Sequence, residues 1–224
     1  MFINNSMTRR VITVEPDAAV LEARKRMDEN GIRHLPVIDE NNKVIGIISD
    51  RDIRSALPSV FSTCRQDPKE IEQISTLKVG DVMNKKVMTI SPMDTLEDAL
   101  LLMQKSKKGA LPVVDRDGVL KGIISTRDLI RAFINVLGIE EPGTLLCLVV
   151  EEKLGQMKRI VDAITEEGIA FGSILVARHW EKDKRAVFPY LLTLNVAKVK
   201  KKLVNMGFTL LDPMEWSLDQ TRKT

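Results

Sequence analysis

GIISDRDI (Gly46 to Ile53) and GIISTRDL (Gly122 to Leu129) are nearly the same eight residues, written 76 positions apart. The same offset aligns MTRRVITVEP (Met7 to Pro16) with MNKKVMTISP (Met83 to Pro92), and HLPVID (His34 to Asp39) with ALPVVD (Ala110 to Asp115). From Met7 to Ala56, 17 of 50 positions match their partners without a gap. The chain therefore contains an internal duplication.

Each copy follows one plan. A β-branched run (Val11 to Val14; Val87 to Ile90) is stopped by Pro16 or Pro92. A helix follows, with Val20, Ala23 and Met27, or Leu96, Ala99 and Met103, on one face. Two strands come next, turning at Asn41-Asn42 or at Asp117-Gly118. A second helix starts at Ser49 or Ser125. One copy of about 50 residues is marginal for a core of its own. Two copies packed about a pseudo-twofold axis solve that, and the packing leaves two related clefts.

Ser-x-x-Asp ahead of an apolar helix is a capping-box pattern, which explains Ser49 with Asp52 and Ser125 with Asp128 without any ligand. Arg51 and Arg127 are not needed for capping. Further cations stand near the matching loops: Arg9 and Arg10, Lys85 and Lys86, and Arg33-His34 before one LPV. A helix N-terminus attracts anions. A carboxylate beside it repels phosphate but accepts both hydroxyls of a ribose. The set reads as sugar plus phosphate.

RHLPVIDENNKVIGIISDRDI and GALPVVDRDGVLKGIISTRDL resemble the two halves of a CBS-domain pair, or Bateman module. The resemblance covers roughly residues 1 to 138. It implies clefts for an adenosine-containing ligand such as AMP, ADP, ATP, S-adenosylmethionine or a cyclic dinucleotide. On that pattern the first cleft uses Arg33, His34, Ser49, Arg51 and Asp52, with Ser91 and Leu96 near the base. The second uses Gly109, Ala110, Ser125, Arg127 and Asp128, with Glu15 and Val20 near the base. Arg33-His34 becomes Gly109-Ala110 in the second copy, so the first cleft is expected to bind phosphate more tightly, with Lys107 and Lys108 as compensation in the second.

Past LGIEEPG the pattern changes. Thr144 to Val150 reads as a buried strand. A helix carries Leu154, Met157, Ile160, Val161 and Ile164 and ends at Gly168. IAFGSILVARHW and RAVFPYLLTLNV form a hairpin around EKDK, AKVKKKLVNM is a helix stopped by Gly207, and FTLLD is a last strand. The order β-α-β-β-α-β is that of a ferredoxin-like unit. It resembles an ACT-type regulatory domain, in which Gly155 marks the turn where small effectors bind; a tight turn into the helix explains the same glycine. Lys198 and Lys200 to Lys202 read as a solvated helix face.

The fold class is thus α+β: CBS repeat 1 over 1–60, a linker over 61–77, CBS repeat 2 over 78–138, an ACT-like domain over 143–213 and a tail over 214–224. CBS pair plus ACT-like domain resembles the bacterial AcuB-type acetoin-utilisation proteins. The start lacks a signal-peptide core, no run of 18 apolar residues offers a membrane span, and a cytoplasmic location is expected. Cys64 and Cys147 suit free thiols. His34 and His179, the only histidines, have no metal-ligand spacing, and no Walker loop or catalytic triad order is present. The net charge of +3 does not argue for nucleic acid.

The expectation is a non-catalytic sensor with no required cofactor. Its regulatory ligand is an adenine nucleotide, with a small effector at the ACT-like domain, self-association as a homodimer, and an unidentified protein partner. A dimerisation scaffold without nucleotide and a nucleic-acid-binding regulator are the alternatives.

Overall fold

The structure is a computed structural model and describes residues 1–56 and 76–211. Most of the expected linker, Cys64, the expected tail and the His179 side chain lie outside the described residues. The chain divides into two compact units, Met1 to Ile130 and Arg131 onward. None of the described helices is long and apolar enough to cross a membrane.

Each copy of the repeat contributes a helix, a two-stranded hairpin and a second helix. These are α1 (Val20–Asn30), β1 (His34–Ile38), β2 (Val44–Ser49) and α2 (Asp50–Ala56). The second copy begins with a short helix, α3 (Val79–Val82). It continues as α4 (Leu96–Ser106), β3 (Ala110–Val114), β4 (Leu120–Ser125) and α5 (Thr126–Leu137). The apolar positions read from the sequence are the buried ones: Val20, Ala23 and Met27 on α1, and Leu96, Ala99 and Met103 on α4. The aspartate of each LPV segment holds its turn. Asp39 Oδ1 accepts from the amides of Asn41 (2.9 Å) and Lys43 (2.8 Å), and Asp115 Oδ1 does the same for Asp117 and Val119. Asn42 and Gly118 take the left-handed conformation these turns require.

The β-branched runs before the helices are not full strands. Each meets its own sheet at one residue, Val14 beside Val37 and Ile90 beside Val113, both parallel. Arg26 captures the Thr13 carbonyl at 2.9 Å, so that oxygen is spent outside any ladder.

The start of each copy is traded to the other. Thr8 exchanges backbone hydrogen bonds with Ile123 (2.9 and 3.0 Å), and Asn84 does so with Ile47 (2.9 and 3.1 Å). Ile3 donates to the Asp94 carbonyl, and Val79 to that of Ala18. Val79 accordingly sits fully buried in the core of the first copy, with Leu77, Val82 and Met83 against it. On the pseudo-twofold axis Val44 donates to Gly118 and Leu120 donates to Asn42, a self-matching pair of bonds.

This exchange explains the glycine of GIIS. A Cβ placed on Gly122 lies 2.6 Å from the Met7 sulfur and 3.0 Å from the Thr8 carbonyl oxygen. A Cβ on Gly46 runs into the sulfur of Met83. The bare backbone of each copy is the seat for a methionine of the other.

The second unit folds in the order β5 (Thr144–Leu145), β6 (Leu148–Glu151), α6 (Gln156–Thr165), β7 (Phe171–Glu181), β8 (Lys184–Leu191), α7 (Ala197–Asn205) and β9 (Thr209–Leu210). The antiparallel sheet runs β9-β6-β8-β7, with β5 also on β8. The strand expected over Thr144 to Val150 is thus broken at Leu146 and Cys147. Leu148, Val150, Val187 and Leu191 pack against Ile160, Ile164, Val199 and Leu203 of the two helices. Leu154 is not part of this face: it is fully exposed. The chain turns through Gly155 at φ +86°, and the helix starts only at Gln156. Lys202 bridges Glu166 (2.7 Å) and Glu167 (3.2 Å), while Lys198, Lys200 and Lys201 are exposed.

Gly122→Val is expected to destabilise by about 1–3 kcal/mol through overpacking at the Met7 seat. Thermal unfolding should show a midpoint several degrees lower. An unchanged midpoint removes the methionine seat as the reason for glycine here.

Candidate functional site

β1 and β2 pair with His34 opposite Ser49, which brings the start of one strand beside the end of the other. A cavity of about 280 Å³ opens there, near the lower end of the about 300–1,000 Å³ usual for small-molecule sites. The first copy supplies Arg33, His34, Ile47, Ser49, Asp50, Arg51, Asp52 and Arg54. The second supplies Asn84, Lys86 and Met88 from its exchanged segment, and Lys107, Lys108, Gly109 and Ala110 from the loop before β3.

The capping box is formed. Asp52 Oδ2 accepts from the Ser49 amide (2.8 Å) and hydroxyl (2.6 Å), and the Asp52 amide donates to Ser49 Oγ (3.3 Å). Both hydrogen bonds that the carboxylate accepts end on Oδ2. Among the described residues none ends on Oδ1, so capping leaves one carboxylate oxygen for the cavity. The start of α2 offers fewer free amides than its sequence suggests. Asp50 donates to the Arg33 carbonyl (3.0 Å) and Asp52 to Ser49. Anion binding at this end falls to side chains.

Those side chains are strongly cationic. Arg54 pairs with Asp50 at 2.7 Å. Among the described residues Arg33, Arg51, Lys86, Lys107 and Lys108 form no ion pair, and Asp52 is the one remaining carboxylate on the cavity wall. Burial pushes the His34 imidazole below its ordinary pKa; Asp52 opposes this, Arg33 and Arg51 reinforce it, and Asp50 opposes it more weakly. Ile47 and Met88 are the larger apolar groups of the lining.

Arg33, His34, Ser49, Arg51 and Asp52 are brought together. Gly109 and Ala110, expected in the second cleft, line this same cavity. The two loops before the LPV segments face each other: a Cβ on Gly109 would lie 3.3 Å from the His34 ring. The backbone of Gly109 lies against the imidazole, so a residue without a side chain suits this position. Lys107 and Lys108 likewise serve the first cavity.

Ser91 does not line the cavity. Its amide donates to Asp94 and its hydroxyl accepts from the Met93 amide, so it is engaged in its own turn. Leu96 and Val20, expected near the bases, are core residues at 2% and 0% exposure. Ser125 and Asp128 repeat the capping box at 2.9 and 2.5 Å, and with Arg127 they stand apart from this cavity. Ile47 and Asn84 went unread in the sequence. They are linked only through the exchange, and the signal was that Asn84 stands where Thr8 does in the first copy.

Comparison with known proteins identifies the repeat. The CBS domain family model matches residues 3–59 and 79–135. The chain belongs to the CBS-domain family. A crystal structure of the CBS protein CBSX2 in complex with AMP is 31% identical, with a TM-score of 0.51, over 59% of this chain and 96% of that one. A putative acetoin utilization protein (AcuB) from Vibrio cholerae is 31% identical, with a TM-score of 0.52, over 62% and 96%. A CBS domain-containing protein of Dictyostelium discoideum is 31% identical over 61% of this chain and 94% of its own length. The chain spans 46% and 22% of the length of two further curated relatives. The similarity lies in the CBS pair.

A histidine held below its ordinary pKa contributes stability that is present above the unfolded value, about 6.5, and lost as pH falls through it. Melting temperature should therefore fall between pH 7.5 and 5.5, and His34→Gln should flatten that fall. An identical pH profile in the variant contradicts the burial argument.

Proposed function

We propose that the CBS pair is a non-catalytic sensor of an adenine nucleotide, bound in the cavity around Asp52. The observation that carries this is a carboxylate with one oxygen left over from capping, set among cations that have no ionic partner. The free oxygen takes ribose hydroxyls, Ser49 lies beside it, and Arg33, Arg51 and His34 take phosphate. Ile47 and Met88 form the wall for the base. The AMP bound by CBSX2 supports the ligand class. Ser125, Arg127 and Asp128 form the equivalent ribose-phosphate edge of a second, weaker cleft. Ser91 lies outside the lining of the Asp52 cavity.

The rest of the chain follows the domain plan of two CBS repeats and a C-terminal regulatory domain. The strand order β9-β6-β8-β7 supports a ferredoxin-like, ACT-like fold for that domain. In it Gly155 sits at the turn into α6 where a small effector docks. Nucleotide binding shifts the pair between two states by its difference in affinity for them. The change passes to a homodimer partner or to another protein, in acetoin utilisation by analogy with the Vibrio cholerae relative.

Asp52→Asn keeps an acceptor for the cap and removes the charge. Calorimetry should show AMP or ATP affinity lowered by roughly 10- to 100-fold, the value of a lost charge-assisted hydrogen bond. Full affinity in the variant, or no adenosine ligand binding the wild type, leaves Ser49 and Asp52 as a capping box in a scaffold.

A further inference from the structure

Resting on the nucleotide reading above, we infer that the Asp52 cavity selects a ligand with two or more phosphates over a nucleoside monophosphate, and holds one such ligand per chain. Five cations without ionic partners line the cavity against Asp52 alone, since Asp50 is held by Arg54. A monophosphate carries at most two charges, too few to balance five cations. Lys86, Lys107 and Lys108 come from the other copy, and a longer phosphate chain supplies the charge that balances them.

The backbone at Lys107 points the same way. Lys107 ends α4 at φ +55°, and the matching residue ending α1 is Gly31 at φ +60°. A left-handed residue costs glycine least. A Cβ on Gly31 would meet nothing within 4 Å, so space does not set the difference. The second copy thus carries a lysine where glycine folds more easily, and that lysine lines the cavity. By the 76-residue offset, the positions equivalent to Lys107 and Lys108 in the other cleft are Gly31 and Ile32. The second cleft has no corresponding pair of charges, which limits polyphosphate binding to one site.

The test is calorimetric titration of the full chain with AMP, ADP and ATP, for wild type, Lys107→Gly/Lys108→Ala and Lys105→Ala. Lys105 lies on α4 and does not line the cavity. The first substitution restores the residue that α1 uses at its own end, so the fold is kept; unfolding curves check this. Wild type should bind ATP at least about tenfold more tightly than AMP, the value of one added charge-assisted contact, with one ATP per chain. The ATP-to-AMP affinity ratio should collapse toward one in the double variant and persist in Lys105→Ala. AMP binding as tightly as ATP, or a ratio unchanged in the double variant, overturns the inference while nucleotide sensing stands. No binding by any of the three removes both.

Discussion

Two pairs of backbone hydrogen bonds, Thr8 with Ile123 and Asn84 with Ile47, lock each copy of the repeat into the sheet of the other. A backbone donor and acceptor left unpaired on folding are costly, so neither copy is complete without its partner. The core obeys the same constraint: Val79, from the start of the second copy, is wholly inside the first. Met7 and Met83 then fix how closely the two can approach, because each lies on a glycine. The cavity follows from this. Asn84, Lys86 and Met88 reach the first copy's aspartate only because the segment carrying them has crossed over.

Duplication makes the backbone symmetric, and the side chains near the axis break that symmetry. The loops before the LPV segments meet near the axis with different residues. The structure has His34 against Gly109. The same loops carry Arg33 on one side and Lys107 with Lys108 on the other, so positive charge from both copies gathers at one cavity. A ligand there touches both copies, and its binding energy can depend on how they are arranged. That is the condition for a ligand to shift a conformational equilibrium.

Much of this was legible in the sequence, because the 76-residue offset shows the repeat and the spacing of Val20, Ala23 and Met27 shows the helix face. The cluster of Arg33, His34, Ser49, Arg51 and Asp52 was legible too, since all five lie at the ends of one local hairpin. The exchange was not, because pairing between residues 115 apart, as in Thr8 with Ile123, leaves no local pattern. Two methionines and two glycines at matching positions were its trace. Gly109 and Ala110 are expected in the second cleft by analogy between copies, and the meeting of the loops also sets them on the wall of the first cavity. Leu154 fits the helical period but precedes the helix, since the left-handed turn at Gly155 outweighs periodicity.

The most direct test of the account is methyl NMR of methionine-labelled protein during titration with ATP. Met88 is on the cavity wall, whereas Met7 and Met83 are wedged between the copies. The account predicts a saturable shift of the Met88 methyl, as the base settles against it, with larger changes there than at Met27 in the first copy's core. Binding that moves other methyls and leaves Met88 in place would contradict it, and would put the ligand elsewhere on the pair.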